Sequence, residues 1–309
     1  MTATHKRPTR PAALAGAETD WQRAATLPEL AATGCKTVHI GGRTLVLWQD
    51  GGQVYALDNR CPHMGFPLNR GTCHDGILTC HWHAARFDLQ TGGTFDQFAD
   101  DAQTFPVDVR GEEIWVDLSQ VRDERAYYRR RLREALEQDV RLVLAKSAIA
   151  LLDDSESDGG DTREPFRIGL EFGVHERNQG WGQGLTMLTC LGNLLPVLSP
   201  ADRPRALYHG LDAVSRETAG AAPHFVLALL PGPLPEVATI KRWLRQFLAV
   251  RDDEGAERLV VSAVRAGLRP AVLAELLFSA ATDYRYLQIG HALDFTNKAF
   301  EALDLVGWD

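Results

Sequence analysis

Apolar and polar positions alternate over short runs in the first third of the chain. Runs of four or five apolar and β-branched residues, such as 44–48 and 54–57, are separated by glycine pairs. Two later runs, at 105–109 and 114–118, flank another glycine. Period-2 alternation bounded by glycine turns is typical of antiparallel hairpins. The pattern therefore predicts a small antiparallel β domain over residues 19–119.

The pattern changes at about residue 120, where glycine disappears and apolar residues recur at helical spacing. Residues 120–152 predict one long helix or a broken pair, and Ser199 followed by Pro200 is typical of a helix start. Short breaks between helices imply antiparallel neighbours, so residues 120–309 are predicted to form an all-α helical array. Further helical segments are expected at about 235–250, 254–266, 270–281 and 289–306.

Three segments of this second part do not follow the helical period. Residues 153–165 are acidic and nearly devoid of apolar side chains, which predicts a mobile loop. Residues 166–174 alternate apolar and polar side chains, which indicates a strand. Residues 180–184 have the spacing G-x-G-x-G instead of G-x-G-x-x-G, and no βαβ pattern surrounds them. We therefore predict no dinucleotide-binding loop at this position.

Length and composition are those of a globular protein with two domains. The 309 residues are 45% hydrophobic and 24% charged, which excludes wholesale disorder. The net charge of −8 is spread over both parts, so the sequence offers no basic surface for nucleic acid. No run of about eighteen apolar residues suits a membrane, and we expect neither nucleic acid nor membrane as a partner.

The N-terminal segment and the cysteines indicate a cellular location. Residues 1–18 are rich in Pro and Ala and lack the apolar core of a secretory signal, so they are predicted to be a flexible tail. Five cysteines are too few, and an odd number, for a disulfide framework, and we expect a cytoplasmic protein. Cys35 and Cys190 are isolated, and each is predicted to be a small buried hydrophobic residue.

Candidate metal chemistry is concentrated in two cysteine–histidine pairs, Cys61 with His63 and Cys80 with His83. Thiolates and imidazoles suit both zinc and iron–sulfur centres. The set fits one tetrahedral zinc, or a [2Fe–2S] cluster with the cysteines on one iron and the histidines on the other. Structural zinc sites usually begin with two cysteines in one hairpin. Here each cysteine is paired with a histidine, which favours the cluster.

The sequence around these pairs reads CPHMGFPL from Cys61, CHWH from Cys80 and RFDL from Arg86. These motifs resemble those of Rieske iron–sulfur domains, in particular the soluble Rieske ferredoxins that serve bacterial oxygenases. The resemblance implies that residues 19–119 form an antiparallel β Rieske domain of the ISP type and that the whole chain is α+β. It also implies one [2Fe–2S] cluster per chain, held by the four cysteine and histidine side chains already named.

The chain departs from the family pattern in the second loop. His81 and Ala84 occupy positions where the family usually has Pro and Gly, and Ala84 would be strained if its φ were positive. High-potential relatives have hydroxyl groups at the positions of Ala85 and Phe87, where they bond to the cluster sulfurs. Without those bonds, we expect a potential at the low end of the Rieske range of about −150 to +300 mV.

Other residues near the pairs are expected to have structural roles. Phe66 and Trp82 are predicted to provide apolar cover over the cluster. His74, His81 and Cys73 are expected to be exposed loop residues without a metal role. The following acidic run is expected to be a solvated face: Asp96, Asp100 and Asp101.

A mononuclear iron beside such a domain would need two histidines and a carboxylate. The histidines of the helical part are well separated in sequence: His175, His209, His224 and His291. The candidate carboxylates are Glu171, Asp212 and Asp294. His291 and Asp294 are most simply part of a solvated charged stripe on one helix. Additional iron in the helical domain is therefore an alternative, not the main expectation.

The sequence thus predicts a redox protein that transfers single electrons as a component of an oxygenase or a related oxidoreductase system. A separate reductase would donate the electrons, because no dinucleotide loop is present. The acceptor, a protein or a small-molecule substrate, is not identified by the sequence. Two alternatives stay open: an oxygenase-like enzyme with substrate and iron in the helical domain, and a zinc-stabilised interaction module.

Overall fold

A computed structural model of the chain describes residues 19–119, 123–158, 163–283 and 290–308. The described residues form two compact units, the first ending at Glu124 and the second beginning at Arg125. The first unit consists mainly of antiparallel strands and the second of helices, which confirms the α+β class. Among the described residues, no helix is both long and apolar enough to cross a membrane.

In the residues that the structure describes, the β unit contains three antiparallel sheets. The first has the order β1-β10-β9, the second β2-β3-β4-β8 and the third β5-β6-β7. A short helix, α1 (Leu27–Ala31), follows β1 and has a capping box formed by Thr26 and Glu29. The strands are β1 (Trp21–Thr26), β2 (Cys35–Ile40), β3 (Arg43–Asp50), β4 (Gln53–Asp58), β5 (Thr72–His74), β6 (Ile77–Thr79), β7 (Arg86–Asp88), β8 (Thr104–Phe105), β9 (Val107–Arg110) and β10 (Glu113–Asp117).

Glycine pairs close the two hairpins of the second sheet, as the sequence predicts. Gly41 and Gly42 join β2 to β3 with φ values of 55° and 73°. Gly51 and Gly52 join β3 to β4 with φ values of 57° and 77°. Two-residue turns with positive φ at both positions match the twist of the strands, and glycine adopts this conformation without strain.

Strand β3 is buried on both faces and separates two apolar cores. Leu45 and Leu47 point into a core shared with β10, whereas Val46 and Trp48 point into a second core. The second core contains Cys61 and Cys80 together with apolar residues of the third sheet. The alternation of side chains along one strand therefore places a hydrophobic floor beneath the candidate ligands.

The second unit contains nine helices within the described residues. They are α2 (Glu124–Gln138), α3 (Arg141–Asp158), α4 (Glu164–His175), α5 (Gln183–Leu194), α6 (Arg203–Thr218), α7 (Val237–Val250), α8 (Asp253–Arg265), α9 (Pro270–Asp283) and α10 (His291–Val306). The apolar residues of α2 and α3, such as Leu132 and Leu144, pack with α4, α5 and α6 in one core. Helices α7, α8 and α9 form a second core around Ile240 and Leu259.

The predicted strand at 166–174 is wrong, because this segment belongs to α4. Glycines on one face of α4 allow close approach of neighbouring helices. A Cβ on Gly173 would lie 2.5 Å from Cδ2 of Leu185 in α5, and Gly169 is equally crowded by Leu211 in α6. The helix is thus buried on several sides. Its two glycines occupy packed positions at which larger apolar residues would have made the helical period visible in the sequence.

Two further predictions about the helical part need correction. The acidic segment is not a continuous loop over 153–165, since 153–158 continue α3 and α4 begins at Glu164; residues 159–162 lie outside the described residues. Helix α6 begins at Arg203 and not at Ser199. The Ser199 hydroxyl donates to Asp202 in a turn before the helix. The serine–proline pair therefore belongs to this turn and does not begin the helix.

Candidate metal centre

The two ligand loops have the same backbone arrangement. In the loop between β4 and β5, the N–H of Cys61 donates to the carbonyl of Phe66 over 2.7 Å. In the loop between β6 and β7, the N–H of Cys80 donates to the carbonyl of Ala85 over 2.8 Å. Each loop therefore closes between its cysteine and the fifth residue after it. This closure holds each cysteine at the base of its loop.

Each loop also has one left-handed residue immediately before the closing carbonyl. Gly65 has a φ of 82° in the first loop, and Ala84 has a φ of 59° in the second. From the sequence, Ala84 is expected to be strained if its φ is positive. Its φ is positive, and the Cβ of alanine disfavours this left-handed conformation. The strain is local to the loop that holds Cys80 and His83.

The structure brings the four predicted ligand side chains together in pairs, the two thiols with each other and the two imidazoles with each other. Cys61 and Cys80 are almost completely buried, with exposed fractions of 2% and 1%. The rings of His63 and His83 meet edge to face with their centroids 4.7 Å apart. His63 is half-buried and His83 is exposed. The thiols thus lie on the inner side of the site and the imidazoles at the surface.

Burial raises the pKa of the Cys61 thiol to about 11, and the neighbouring Cys80 also raises it. Two thiols in contact in an apolar core are disfavoured as anions unless a cation compensates their charge. A bound metal supplies that charge and deprotonates the coordinating thiol. The inner half of the site is therefore suited in chemistry to a metal with soft ligands.

A single zinc and a [2Fe–2S] cluster would use these donors in different ways. Within the residues that the structure describes, no three His, Cys, Asp or Glu side chains converge on a point that could hold a single metal ion. A tetrahedral zinc needs four donors around one atom, whereas a Rieske cluster takes two protein ligands on each iron. The second arrangement takes two thiolates and two imidazoles, which are the donor types of the two pairs.

Aromatic side chains surround the two histidines. Trp82 stacks on His83 with a centroid distance of 4.5 Å, and Phe66 lies 5.8 Å from Trp82. Phe98 meets the ring of His63 edge to face at 5.0 Å. Phe66 and Trp82 were predicted to provide apolar cover; Phe98 was missed, because it lies far along the chain and only the fold brings it to His63.

The side chains beneath the site are apolar. Ala85 and Phe87 are fully buried, in the same core as Cys61 and Cys80. Neither carries a hydroxyl group that could donate a hydrogen bond to a cluster sulfur. Missing hydroxyl donors at these two positions are the reason why the sequence leads us to expect a low reduction potential.

The spare histidines and cysteine near the site have other partners. His74 contacts Asp75 at 3.1 Å, and both side chains are exposed. The Nε2 atom of His81 is 3.2 Å from the hydroxyl oxygen of Thr72. Cys73 is half-buried rather than exposed, and burial raises the pKa of its thiol to about 11.

The acidic run is not the solvated face that the sequence suggests. Asp96 accepts hydrogen bonds from the backbone N–H and the guanidinium of Arg86, and Arg86 lowers the pKa of Asp96 below its usual value. Asp101 accepts from the N–H of Thr94 over 3.0 Å, and Asp100 is buried. These carboxylates therefore stabilise the segment that follows the second ligand loop.

The extra iron considered for the helical part has no support among the described residues. Glu171 forms an ion pair with Arg133, and the buried Asp212 pairs with Arg216 and Arg141. The histidines also have other neighbours: His175 contacts the carbonyl of Glu171, His209 the ring of Tyr208, His224 the carboxylate of Glu257 and His291 the ring of Phe295.

The two isolated cysteines differ from their prediction. Cys190 is exposed on α5, since it lies outside the set of buried positions of that helix. Cys35 is half-buried, and its Sγ atom lies 3.6 Å from the carbonyl oxygen of Asn69. All five cysteines lie within the described residues, and none forms a disulfide.

Three antiparallel sheets and two loops that each present one cysteine and one histidine define a Rieske-type iron–sulfur domain. The chain belongs to the Rieske [2Fe–2S] domain family, whose family model matches residues 20–106. A Rieske domain implies a [2Fe–2S] cluster and a role in electron transfer.

Relatives of this chain include proteins of oxygenase systems. It is 30% identical over 100 residues to the ferredoxin component of the naphthalene 1,2-dioxygenase system of Pseudomonas aeruginosa, covering 32% of this chain and 96% of that protein. It is 34% identical over 85 residues to human apoptosis-inducing factor 3, covering 27% of this chain. The chain spans only 14% of the length of that protein.

A solved structure with a similar domain is the ferredoxin of carbazole 1,9a-dioxygenase from Nocardioides aromaticivorans. The two are 30% identical, and the match covers 31% of this chain and 95% of the ferredoxin, with a TM-score of 0.30.

Proposed function

We propose that Cys61 and Cys80 bind one iron of a [2Fe–2S] cluster, that His63 and His83 bind the other, and that the protein transfers single electrons within an oxygenase or related oxidoreductase system. The observation that carries this proposal is the separation of two buried thiols from two imidazoles at the surface. When bound, the cluster supplies a centre that accepts and releases one electron.

The residues of the chain give the two sides of this site different tasks. The apolar core around Cys61 and Cys80 excludes water from the thiolate side. The exposed ring of His83 and the half-buried ring of His63 bring the opposite side to the surface, where an electron can enter or leave. Trp82 and Phe98 fix the orientation of the two imidazoles by ring contact.

The same surface is the proposed contact for redox partners. Met64, Trp82 and Phe98 have exposed fractions of 53%, 51% and 38%, and they adjoin or contact the two histidines. Exposed apolar groups around a reactive centre are typical of interaction sites. A separate reductase would donate at this surface, and an oxygenase or another acceptor would receive the electron. A cytoplasmic location is part of this proposal, because all five cysteines lack disulfides.

Metal and sulfide analysis of the purified protein tests the proposal. We expect two iron atoms and two sulfides per chain, with the EPR spectrum of a histidine-ligated cluster after reduction. Cys61→Ser and His83→Ala should abolish this spectrum, because each removes a ligand. The matched variants Cys73→Ser and His81→Ala should preserve it. Zinc in place of iron would contradict the proposal, and a third iron would favour an oxygenase-like enzyme.

A further inference from the structure

A cavity of about 680 Å³ lies within the helical unit, away from the residues discussed so far. Helices α8, α9 and α10 line it, and Val226 of the non-helical segment 219–236 also contributes to its lining. This segment is tied to α8, since the guanidinium of Arg258 donates to the carbonyls of Ala228 and Leu229. The volume falls within the range of about 300–1,000 Å³ that is typical of small-molecule pockets.

The walls of the cavity are almost entirely apolar. Helix α8 contributes valines and α9 contributes leucines. Phe300 of α10 and Trp308, which follows α10, form an aromatic wall with their ring centroids 5.3 Å apart. Phe278 stacks on Phe300 with a centroid distance of 5.6 Å, a second ring contact that holds Phe300 in place. The indole N–H of Trp308 donates to Asp304 over 2.8 Å, so the polar edge of Trp308 is already occupied.

The rim of the cavity exposes apolar side chains to water. Val226, Val264 and Leu303 have exposed fractions of 61%, 52% and 37%. The cavity lies where α10, which packs into the first helical core, faces α8 and α9, which build the second. Junctions between helices are common places for apolar ligands, and contiguous exposed apolar surface marks binding sites.

One charged side chain lines this apolar space, that of Arg265 in the last turn of α8. Among the described residues, no carboxylate forms an ion pair with Arg265. Two half-buried cations of the same three-helix core are paired: Lys241 contacts Glu275, and Arg245 contacts Asp283. Within the part of the chain that the structure describes, the guanidinium of Arg265 is therefore available to bind an anion.

We propose that this cavity binds a small apolar molecule that carries one carboxylate, with the carboxylate at Arg265. The apolar walls require an apolar body, and a guanidinium recognises a planar carboxylate in preference to a neutral group. Among the described residues that line the cavity, only Arg265 carries a charged side chain, so a polyphosphate or a sugar would leave its polar groups without partners. The proposal does not depend on the metal centre.

Isothermal titration of the full-length protein with decanoate tests the proposal, with 1-decanol as a neutral ligand of the same length. We expect saturable binding of decanoate with a dissociation constant below about 1 mM. Arg265→Gln should weaken decanoate binding about fivefold, the scale of one exposed ion pair, and leave 1-decanol unchanged. Arg269→Gln is the matched control, because Arg269 is exposed in the same unit but does not line the cavity.

A second variant tests whether the cavity itself is the site. Val264→Trp places a large side chain at the rim and should abolish binding of both ligands without lowering the melting temperature. Val250→Trp, at an exposed position of α7 outside the cavity, should bind both ligands as the original protein does. Absence of saturable decanoate binding would overturn the proposal, as would equal decanoate affinity in Arg265→Gln or undiminished binding in Val264→Trp.

Discussion

Single residues determine how the candidate metal centre is shaped. The first ligand loop places Gly65 at its left-handed position, and the second places Ala84 at the equivalent position. The two loops share one backbone design, but only one of them has the residue that fits this design without strain. The stability of the second loop and the electronic surroundings of the cluster therefore depend on a few identifiable side chains.

Ala84→Gly should stabilise the β unit. Removing a left-handed alanine relieves about 1–2 kcal/mol of strain in the folded state. The greater freedom of glycine in the unfolded chain offsets about 0.5–1 kcal/mol of that stabilisation. We expect a net increase of about 0.5–1 kcal/mol, measured by thermal unfolding of the β unit. Ala31→Gly, at an exposed helical position, should instead lose about 1 kcal/mol. A lower melting temperature for Ala84→Gly would refute the strain at this position.

Phe87→Tyr should raise the reduction potential of the cluster. Phe87 is buried in the core that contains both thiols, and a hydroxyl group there can donate a hydrogen bond to a sulfur. Potentiometric titration should give an original value near the low end of the range of about −150 to +300 mV. Phe105→Tyr, in the other core of the β unit, is the control and should leave the potential unchanged. An original potential above about +100 mV would contradict this explanation.

At the scale of elements, glycines determine how closely helices pack. Helices α5 and α6 approach each other where Gly210 faces Leu188: a Cβ on Gly210 would lie 2.9 Å from the Cα of Leu188. At the start of α5, the N–H groups of Gln183 and Gly184 donate to the carboxylate of Glu217 in α6. The glycine-rich segment 180–184 thus leads into a helix whose N-terminus is capped by a side chain.

Gly210→Ala should destabilise the helical unit despite the higher helix propensity of alanine. Alanine normally gains up to about 1 kcal/mol over glycine inside a helix, but overpacking costs about 1–3 kcal/mol. We expect a lower melting temperature by circular dichroism. His209→Ala is the neighbouring control, because His209 is exposed and its replacement should change stability by less than about 0.5 kcal/mol. Stabilisation by Gly210→Ala would show that α5 and α6 can separate without cost.

For the whole molecule, the main feature is that each unit contains its own apolar cores. The β unit has two, one around Leu45 and one around Cys61. The helical unit has two more, one around Leu132 and one around Ile240.

The ferredoxin of the naphthalene dioxygenase system is matched over 96% of its length by about a third of this chain. A Rieske domain can therefore constitute nearly a whole protein.

Residues 1–124, produced alone, should fold and acquire the cluster. The fragment contains both cores of the β unit and all four proposed ligands. Its visible absorbance and the EPR spectrum of its reduced form should match those of the full-length protein. The complementary fragment of residues 125–309 should be helical by circular dichroism and colourless. A colourless or aggregated fragment 1–124 would show that the β unit needs the helices to fold.

Local signals in the sequence determined the hairpins and the ligand spacing. Glycine pairs specify two-residue turns directly. A Cys-x-His motif followed by a Cys-x-x-His motif restricts the bound group to a few metals. Helix α4 was missed because its period is visible only when the residues crowding Gly169 and Gly173 are known. Tertiary structure alone decided the left-handed φ of Ala84, the contact of Phe98 with His63, and the cavity beside Arg265. These features depend on groups that are distant along the chain or on the closure of a loop, and no local pattern of residues specifies them.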